Sequence, residues 1–197
     1  MSPVEFFWDV ASPYTYLAST QLEGFVQRTG AELVYRPFLL GGVFKATGNQ
    51  MPATVQARAL YMVKDLKRWA THYGVPMKMP VQEVTFPLVS VLPMRAATAA
   101  DRAGKGKEAC DALMRAYWGE GQDVSSPEVL EAALTSAGLD GAALVAAAAD
   151  PEVKGALRAN SDEAVSRGAF GAPTFFVKDE LFFGNDRLDF VAAAVTG

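Results

Sequence analysis

Cysteine and histidine are almost absent from the 197-residue sequence, which contains one of each, Cys110 and His72. A single cysteine excludes an intramolecular disulfide, a Cys-x-x-Cys redox pair and a cysteine-held metal cluster, and no metal site is expected. Neither residue lies among other reactive groups. Cys110 is therefore predicted to be a small packing residue on a helix, and His72 to be solvated near a helix C-terminus. Such low cysteine usage is typical of a reducing compartment, so a cytoplasmic location is expected.

The sequence also lacks an excess of positive charge and any long apolar run. It has 18 Lys and Arg against 22 Asp and Glu, a net charge of −4, so nucleic acid is not an expected partner. The most apolar stretch, Leu144 to Ala149, ends at Asp150-Pro151 and falls far short of the ~20 residues that span a bilayer. The first residues lack the pattern of a signal peptide, and no membrane contact is expected.

What remains is the composition of a globular protein, with half of its residues apolar and a fifth charged. The first 40 residues have the pattern strand, turn, helix, strand. Ser12 is a favourable N-cap and Pro13 suits the first helical position, whereas Arg36-Pro37 indicates a strand that ends or lies at an edge. The predicted elements are strands Val4 to Val10 and Glu32 to Phe38, and one helix from Pro13 to Gly24 or Gly30.

From Gly41-Gly42 onward, about 120 residues show helical periodicity and almost no strand pattern. The predicted helices are Thr54 to Tyr73, Val89 to Ala103, Lys105 to Trp118, Pro127 to Ala137, Ala142 to Ala149 and Glu152 to Arg167. Loops are predicted around Gly74 to Pro76, Met79-Pro80, Phe86-Pro87, Gly119 to Ser126 and Gly138 to Gly141.

The C-terminal residues return to strands, with a hairpin of Thr174 to Val177 and Leu181 to Phe183 before a last helix, Leu188 to Val195. The order β-α-β, helical block, β-β-α is the topology of an α/β thioredoxin-like domain interrupted by an all-helical insertion. Residues 1–40 and 168–197 are predicted to form the discontinuous thioredoxin-like domain, and residues 41–167 the insertion.

Two segments bear on the chemistry of such a fold. Gly171-Ala172-Pro173-Thr174 resembles the proline loop of thioredoxin folds, in which the X-Pro bond is cis; otherwise Pro173 is an ordinary trans turn proline. Thioredoxin-fold disulfide enzymes carry Cys-x-x-Cys at the first helix, where this chain has Ser12-Pro13-Tyr14-Thr15. A hydroxyl cannot exchange disulfides, so another molecule must supply the nucleophile. The amides at a helix start favour an anion there, such as a borrowed thiolate.

A set of short motifs, in order along nearly the whole chain, resembles the 2-hydroxychromene-2-carboxylate isomerases and the related kappa-class glutathione transferases. Each motif alone is weakly specific, but the ordered set is strongly specific. The motifs are Phe6 to Ala18, Gly48-Asn49, Leu60 to Met62, Asp65-Leu66, Arg68 to Ala70, Gly168 to Pro173 and Phe183 to Arg187.

The resemblance implies that glutathione is the cofactor and that the hydroxyl of Ser12 points at its sulfur. Ser12 is otherwise only a helix cap. It also implies that Asp186, with the neighbouring Asn185, binds the γ-glutamyl end, where a carboxylate suits an ammonium group. The alternative for Asp186 is that it caps the last helix.

Five further residues are expected at the glutathione site, and one of them is Pro173 of the proline loop. Ala172 and Thr174 flank Pro173, where an extended peptide would pair through backbone hydrogen bonds. Asn49 matches a family position that contacts cofactor and substrate, or is simply a Gly-Asn turn residue. Arg58 stands where relatives often carry Lys, which keeps the charge and changes its geometry, or is a solvated helix residue.

The resemblance therefore implies glutathione-dependent cis–trans isomerisation of 2-hydroxychromene-2-carboxylate to trans-o-hydroxybenzylidenepyruvate, in naphthalene-type aromatic catabolism. The implied substrate is a small aromatic carboxylate, and relatives suggest a homodimer. Two alternatives remain open. One is a kappa-class-like transferase or peroxidase; the other is a non-catalytic glutathione-binding module in which Ser12 has replaced a redox cysteine.

Overall fold

The computed structural model describes residues 2–78 and 87–197, and a four-stranded sheet lies at its centre. The strands are β1 (Val4–Trp8), β2 (Leu33–Pro37), β3 (Thr174–Val177) and β4 (Glu180–Phe183). Their order across the sheet is β2-β1-β3-β4; β1 pairs parallel with β2 and antiparallel with β3, which pairs antiparallel with β4. The thioredoxin-like strand order is thus confirmed, and β2, which ends at Pro37, is an edge strand as predicted.

Aromatic side chains on β1 alternate between the two faces of the sheet, as successive residues of a strand must. Phe6 stacks on Phe175 with ring centroids 5.0 Å apart, whereas Phe7 meets Phe38 and Phe176 edge-on at 5.9 and 5.5 Å. All five rings are fully buried. Both faces therefore carry core, which explains why β1 lacks the apolar–polar alternation of a half-exposed strand.

Helices cover the sheet and form all the regular structure described between residues 41 and 167, as predicted. The division into domains at residues 40 and 168 stays a prediction. The helices are α1 (Pro13–Ser19), α2 (Leu22–Thr29), α3 (Leu40–Thr47), α4 (Gln56–Tyr73), α5 (Val91–Arg102), α6 (Gly106–Met114), α7 (Pro127–Ser136), α8 (Gly141–Ala147), α9 (Pro151–Ser166) and α10 (Leu188–Thr196). A 3-10 turn (Pro52–Thr54) precedes α4, and a π-helical turn (Arg115–Gly119) follows α6. The predicted loop at Met79-Pro80 and Phe86 of the predicted Phe86-Pro87 loop lie outside the described residues.

The prediction of a single helix from Pro13 is wrong, because the helix is interrupted at Thr20-Gln21, between α1 and α2. The hydroxyls of Ser19 and Thr20 donate to the carbonyls of Tyr16 and Leu17, at 2.8 and 2.7 Å. Such side-chain bonds compete with the helical ladder and end α1 after seven residues.

Helix α3 was not predicted, because Gly41-Gly42 resembles a loop and no capping residue precedes it. Its N-cap, Leu39, makes no side-chain cap hydrogen bond. Distant side chains supply the acceptors instead. The amide of Leu39 donates to Ser161 Oγ at 2.9 Å and that of Leu40 to Asp9 Oδ2 at 2.8 Å. Long-range partners of this kind leave no local pattern in the sequence.

The two scarce residue types lie where the sequence predicted. Cys110 is fully buried in α6, and burial raises the pKa of its thiol well above the usual value. His72, in the last turn of α4, is exposed, with its ring 5.6 Å from that of Trp69. No helix within residues 2–78 and 87–197 combines the length and apolarity that crossing a membrane requires.

Candidate functional site

Ser12 lies in the turn between β1 and α1, and its side chain makes two hydrogen bonds. The Oγ atom accepts from the Thr15 amide at 3.2 Å, so Ser12 does cap α1, with Pro13 as the first helical residue. The hydroxyl also donates to the carbonyl of Ala172, 2.9 Å away and 160 residues further along the chain. A cap does not require this second bond, which joins the start of α1 to the proline loop.

The peptide bond between Ala172 and Pro173 is cis, as predicted. Hydrogen bonds hold the loop on both sides of it: the Thr174 hydroxyl donates to the Gly171 carbonyl at 2.9 Å, and the Gly184 amide donates to the Pro173 carbonyl at 3.1 Å. Thr174 is in register with Phe7 of β1 and with Phe183 of β4. Ala172 thus lies two residues before β3, and its carbonyl faces Ser12.

Asn49 follows α3 and reaches the same loop from the helical side. Its Nδ2 donates to the Phe170 carbonyl at 2.8 Å, while its Oδ1 accepts from the amide of Gln50 at 2.8 Å. Gly48 before it has a φ of 72°, so the predicted Gly-Asn turn exists as well. Asn49 is exposed and contacts the chain at Phe170, directly before the proline loop.

Arg58 lies in the first turn of α4 with its guanidinium in solvent. It makes no hydrogen bond or ion pair with the residues that the structure describes. It borders a cavity of about 330 Å³ whose other walls are Tyr14, Pro52, Ala57, Tyr61 and Met62. Arg58, Tyr61, Met62 and Asp65 follow at helical spacing along one side of α4, the side that meets α1 at Tyr14.

Tyr14 and Asp65 form a contact that the sequence analysis did not identify. The Tyr14 hydroxyl donates to Asp65 Oδ2 at 2.9 Å, linking the second residue of α1 to α4. Burial raises the pKa of Tyr14, and the hydrogen bond to Asp65 and the negative charges of Asp65 and Asp186 raise it further. Tyr14 remains a neutral donor at physiological pH. Tyr14 and Asp65 are 51 positions apart in the sequence, so no local pattern could have predicted their contact.

Asn185 and Asp186 lie in the turn between β4 and α10. Asn185 is buried; its Nδ2 donates to the Tyr73 hydroxyl at 3.4 Å, and that hydroxyl donates to the Asn185 carbonyl at 3.1 Å. Asp186 is partly exposed and pairs with Arg187 at 3.2 Å. Helix α10 begins after Arg187 without a side-chain cap, so the alternative that Asp186 caps it is wrong.

The structure thus brings the predicted residues to one region of the surface. Ser12, Ala172, Pro173 and Thr174 form its buried centre, with Asn49 at one end of the proline loop. Tyr14 lines the same cavity as Arg58. It is also close enough to Asp186 for the negative charge of Asp186 to raise the pKa of Tyr14. A larger groove of about 490 Å³ lies between α2, β2 and the start of α6, but none of the predicted site residues line it. We take Ser12 as the centre of the candidate site, because volume alone supplies no chemistry.

Comparison with known families agrees with this architecture. The family of DSBA-like thioredoxin domains matches residues 3–196, so the chain belongs to that family.

Individual relatives narrow the resemblance. The chain is 33% identical to 2-hydroxychromene-2-carboxylate isomerase of Sphingobium xenophagum, over 95% of each chain. It is 30% identical to human glutathione S-transferase kappa 1, over 96% of this chain and 88% of the relative. A solved structure of 2-hydroxychromene-2-carboxylate isomerase superposes with a TM-score of 0.85 and 28% identity, covering 97% of this chain and 93% of that one. The resemblance to these isomerases and kappa-class transferases is confirmed.

Proposed function

We propose that the protein is a glutathione-dependent cis–trans isomerase that converts 2-hydroxychromene-2-carboxylate to trans-o-hydroxybenzylidenepyruvate. The observation that carries the proposal is the buried Ser12 hydroxyl, which lies at the start of α1 against the cis Ala172–Pro173 peptide. The names of the isomerase and kappa-class relatives support both the reaction and glutathione. A cytoplasmic location and a homodimer stay predictions.

The residues present fit a bound glutathione, which is a peptide with an ammonium group, two carboxylates and a thiol. The site offers a carbonyl at the sheet boundary for the peptide, from Ala172, and a carboxylate for the ammonium group, from Asp186. Arg58 offers a cation without a partner among the described residues. When bound, glutathione would supply a thiolate that adds reversibly to the conjugated double bond of the ring-opened substrate, which can then rotate about that bond.

Ser12 would hold the sulfur as an anion. A hydrogen bond donated to a thiolate favours its charged form and lowers the pKa of the thiol, and the Thr15 amide beside Ser12 acts in the same direction. A hydroxyl has one proton, however, and Ser12 donates it to Ala172. Donation to sulfur therefore requires that the Ser12–Ala172 bond be broken.

A peptide ligand offers the compensation. Its own N–H could donate to the Ala172 carbonyl, as an added strand does at a sheet edge, and so release the hydroxyl of Ser12. Backbone pairing then falls mainly to Ala172, because Thr174 already lies between two strands. Binding of the peptide and activation of its thiol would be linked through one carbonyl oxygen.

The two ends of the ligand would be held by different residues of the site. Asp186 would bind the ammonium group in place of Arg187, a charge-assisted bond that suits a partly exposed carboxylate. Arg58 and Asn49 would approach from the helical side, where Arg58 can pair with a carboxylate of glutathione or of the substrate. Asn185, whose amide is engaged by Tyr73, would act by holding the turn that carries Asp186.

A kappa-class-like transferase is the second candidate, because the human kappa 1 relative matches 96% of the chain at 30% identity. Both candidates share the activation of sulfur and differ in whether the adduct is released. The deciding experiment incubates the protein, glutathione and 2-hydroxychromene-2-carboxylate and identifies the product by chromatography and mass. We expect the trans isomer with glutathione recovered unchanged. A stable conjugate would favour the transferase, and a rate no greater than with glutathione alone would leave only a binding module.

A further inference from the structure

Asp9 is a buried acid that the proposed mechanism does not use. It directly follows β1 and precedes Ser12 by three residues. Its side chain is fully buried, the only acidic side chain buried to this extent within residues 2–78 and 87–197. Burial raises the pKa of the Asp9 carboxyl, against three hydrogen bonds that lower it. Burying a carboxylate costs free energy that an apolar residue would not, so its contacts need an explanation.

Those contacts join three separate segments of the chain. Asp9 Oδ1 accepts from the Ala11 amide at 2.9 Å, within the turn that carries Ser12. Asp9 Oδ2 accepts from the Leu40 amide at 2.8 Å, at the start of α3, and from Ser90 Oγ at 3.0 Å, just before α5. Each group that faces the carboxylate is uncharged, so its attachment is geometric and involves no ion pair among the described residues.

The main chain of Asp9 adds a direct connection to Ser12. The Ser12 amide donates to the Asp9 carbonyl at 3.0 Å, which closes the turn immediately before α1. In this turn the Ser12 side chain faces both Ala172 and the Thr15 amide. Small displacements at such a site are costly, because a misplacement of about 1 Å can reduce a rate on the order of 100-fold.

We propose that Asp9 is a positioning residue for Ser12. The carboxylate of Asp9 fixes the turn before α1 and connects this turn to the starts of α3 and α5. This rests on the proposed function in that Ser12 is taken as the catalytic residue. The carboxylate of Asp9 makes no hydrogen bond with Ser12 or the proline loop; its partners are Ala11, Leu40 and Ser90. The helices of the inserted region would thereby help to set the position of the reactive hydroxyl.

Activity gives the first test. Ser90→Ala removes one donor to Asp9 and should lower kcat about tenfold, with the KM for glutathione unchanged, because only orientation is affected. Ser90→Thr keeps a hydroxyl and should restore most of the rate. Ser161→Ala is the matched control: this buried serine accepts from the neighbouring Leu39 amide and does not touch Asp9. It should lower the melting temperature and leave kcat unchanged.

A thiol probe gives a second test that does not depend on glutathione. Ser12→Cys introduces a single reactive thiol, since Cys110 is fully buried with a raised thiol pKa. The pKa of the thiol introduced at position 12 is read from the pH dependence of its alkylation by iodoacetamide. Adding Ser90→Ala or Asp9→Asn should each raise that pKa by about one unit, because a loosened turn weakens the bond from the Thr15 amide. Adding Ser161→Ala should not change it.

The outcomes separate the alternatives. If the pKa falls with Asp9→Asn and stays constant with Ser90→Ala, Asp9 acts only as a negative charge, and the positioning role is overturned. An unchanged pKa in both, with lower melting temperatures, would reduce Asp9 to core packing. If the wild-type protein shows no turnover with glutathione, the proposed function fails, while the thiol titration still decides the role of Asp9.

Discussion

The two sides of the candidate site differ in how firmly the protein holds them. On the sheet side, Ser12, Ala172 and Thr174 are buried and joined by hydrogen bonds to α1 and the proline loop. On the α4 side, Arg58 is exposed, and its guanidinium has no partner among the described residues. Large apolar side chains on α4 are exposed there too, with Leu60 and Tyr61 at 62% and 60%.

This difference assigns different work to the two sides. The sheet side is formed before any ligand binds, so the exchange of the Ser12–Ala172 hydrogen bond is the main reorganisation that its groups need before they act on a reacting atom. The side chains on α4 must lose rotamer freedom when they bind, so each contact there contributes less net free energy. We therefore expect substitutions on the sheet side to change the rate. Substitutions of Arg58 and Asp186, which would hold the charged ends of the ligand, should change its affinity.

Ser12→Ala should have the largest effect. The rate of glutathione-dependent turnover should fall on the order of 100-fold near neutral pH, because one donor to the thiolate is lost. Part of the loss should be recovered as the pH rises, and the ultraviolet titration of bound thiolate should shift upward. The cap itself contributes about 1 kcal/mol of stability.

Ser126→Ala is the matched control for Ser12→Ala. Ser126 also caps a helix, α7, in front of a proline, and accepts from the Val129 amide at 3.5 Å. It should cost stability without changing turnover. If both substitutions lowered only the melting temperature, Ser12 would be a cap and nothing more.

Asp186→Asn should weaken glutathione binding roughly tenfold and leave kcat at saturation nearly unchanged. The carboxylate would hold a remote ammonium group equally in the ground and transition states. Isothermal titration calorimetry measures the affinity, and Asp189→Asn, an exposed acid in the first turn of α10, is the control. Equal affinities for wild type and Asp186→Asn would remove Asp186 from the binding site.

Arg58→Ala should raise the KM for glutathione or substrate up to about fivefold, because exposed ion pairs contribute ~1 kcal/mol or less. The effect should shrink at high salt, and Arg58→Lys should keep most of the affinity. Lys67→Ala, further along α4 and also exposed, should have no effect on KM. A large fall in kcat with Arg58→Ala would contradict the division between the two sides.

Tyr14→Phe should have the smallest effect, a loss of about 1 kcal/mol at neutral pH from the broken bond to Asp65. Because the pKa of Tyr14 is raised in the fold, its stabilisation is full below pH ~10 and is lost as the pH rises toward the folded value. The variant should therefore lose less stability than wild type above pH ~10 in thermal unfolding. Tyr61→Phe is the control, because the Tyr61 hydroxyl lies 3.5 Å from the other oxygen of Asp65, and it should change the stability at neutral pH much less. Equal losses of stability in the two variants would contradict a specific Tyr14–Asp65 contact.

The sequence predicted most of the architecture because its signals there are local. Ser12-Pro13 marks a helix start, and the run of β-branched and aromatic residues from Thr174 to Val177 marks a strand. The observed α1 begins at Pro13 and β3 is Thr174–Val177, as predicted. The proline loop and Ser12 were likewise identifiable from their position in the element order. Their contact at 2.9 Å follows from the fold and confirms that they lie together.

What the sequence did not reveal depends on partners far away along the chain. The start of α3 takes its acceptors from Asp9 and Ser161, and Tyr14 takes its acceptor from Asp65. Asp9 itself fell inside the predicted strand Val4 to Val10, and only the folded chain brings Leu40 and Ser90 to its carboxylate. Such contacts have no periodicity, so no pattern within a window of residues can predict them.

Gly171 constrains how this loop can change in evolution or design. A Cβ added there would lie 2.7 Å from a ring carbon of Phe183, too close for any side chain unless that ring moves. The Phe183 ring also packs against Phe170, with centroids 4.6 Å apart, so moving it uncovers a second aromatic ring. Positions 171 and 183 should therefore vary together: a larger residue at 171 becomes compatible with the loop when a smaller one replaces Phe183.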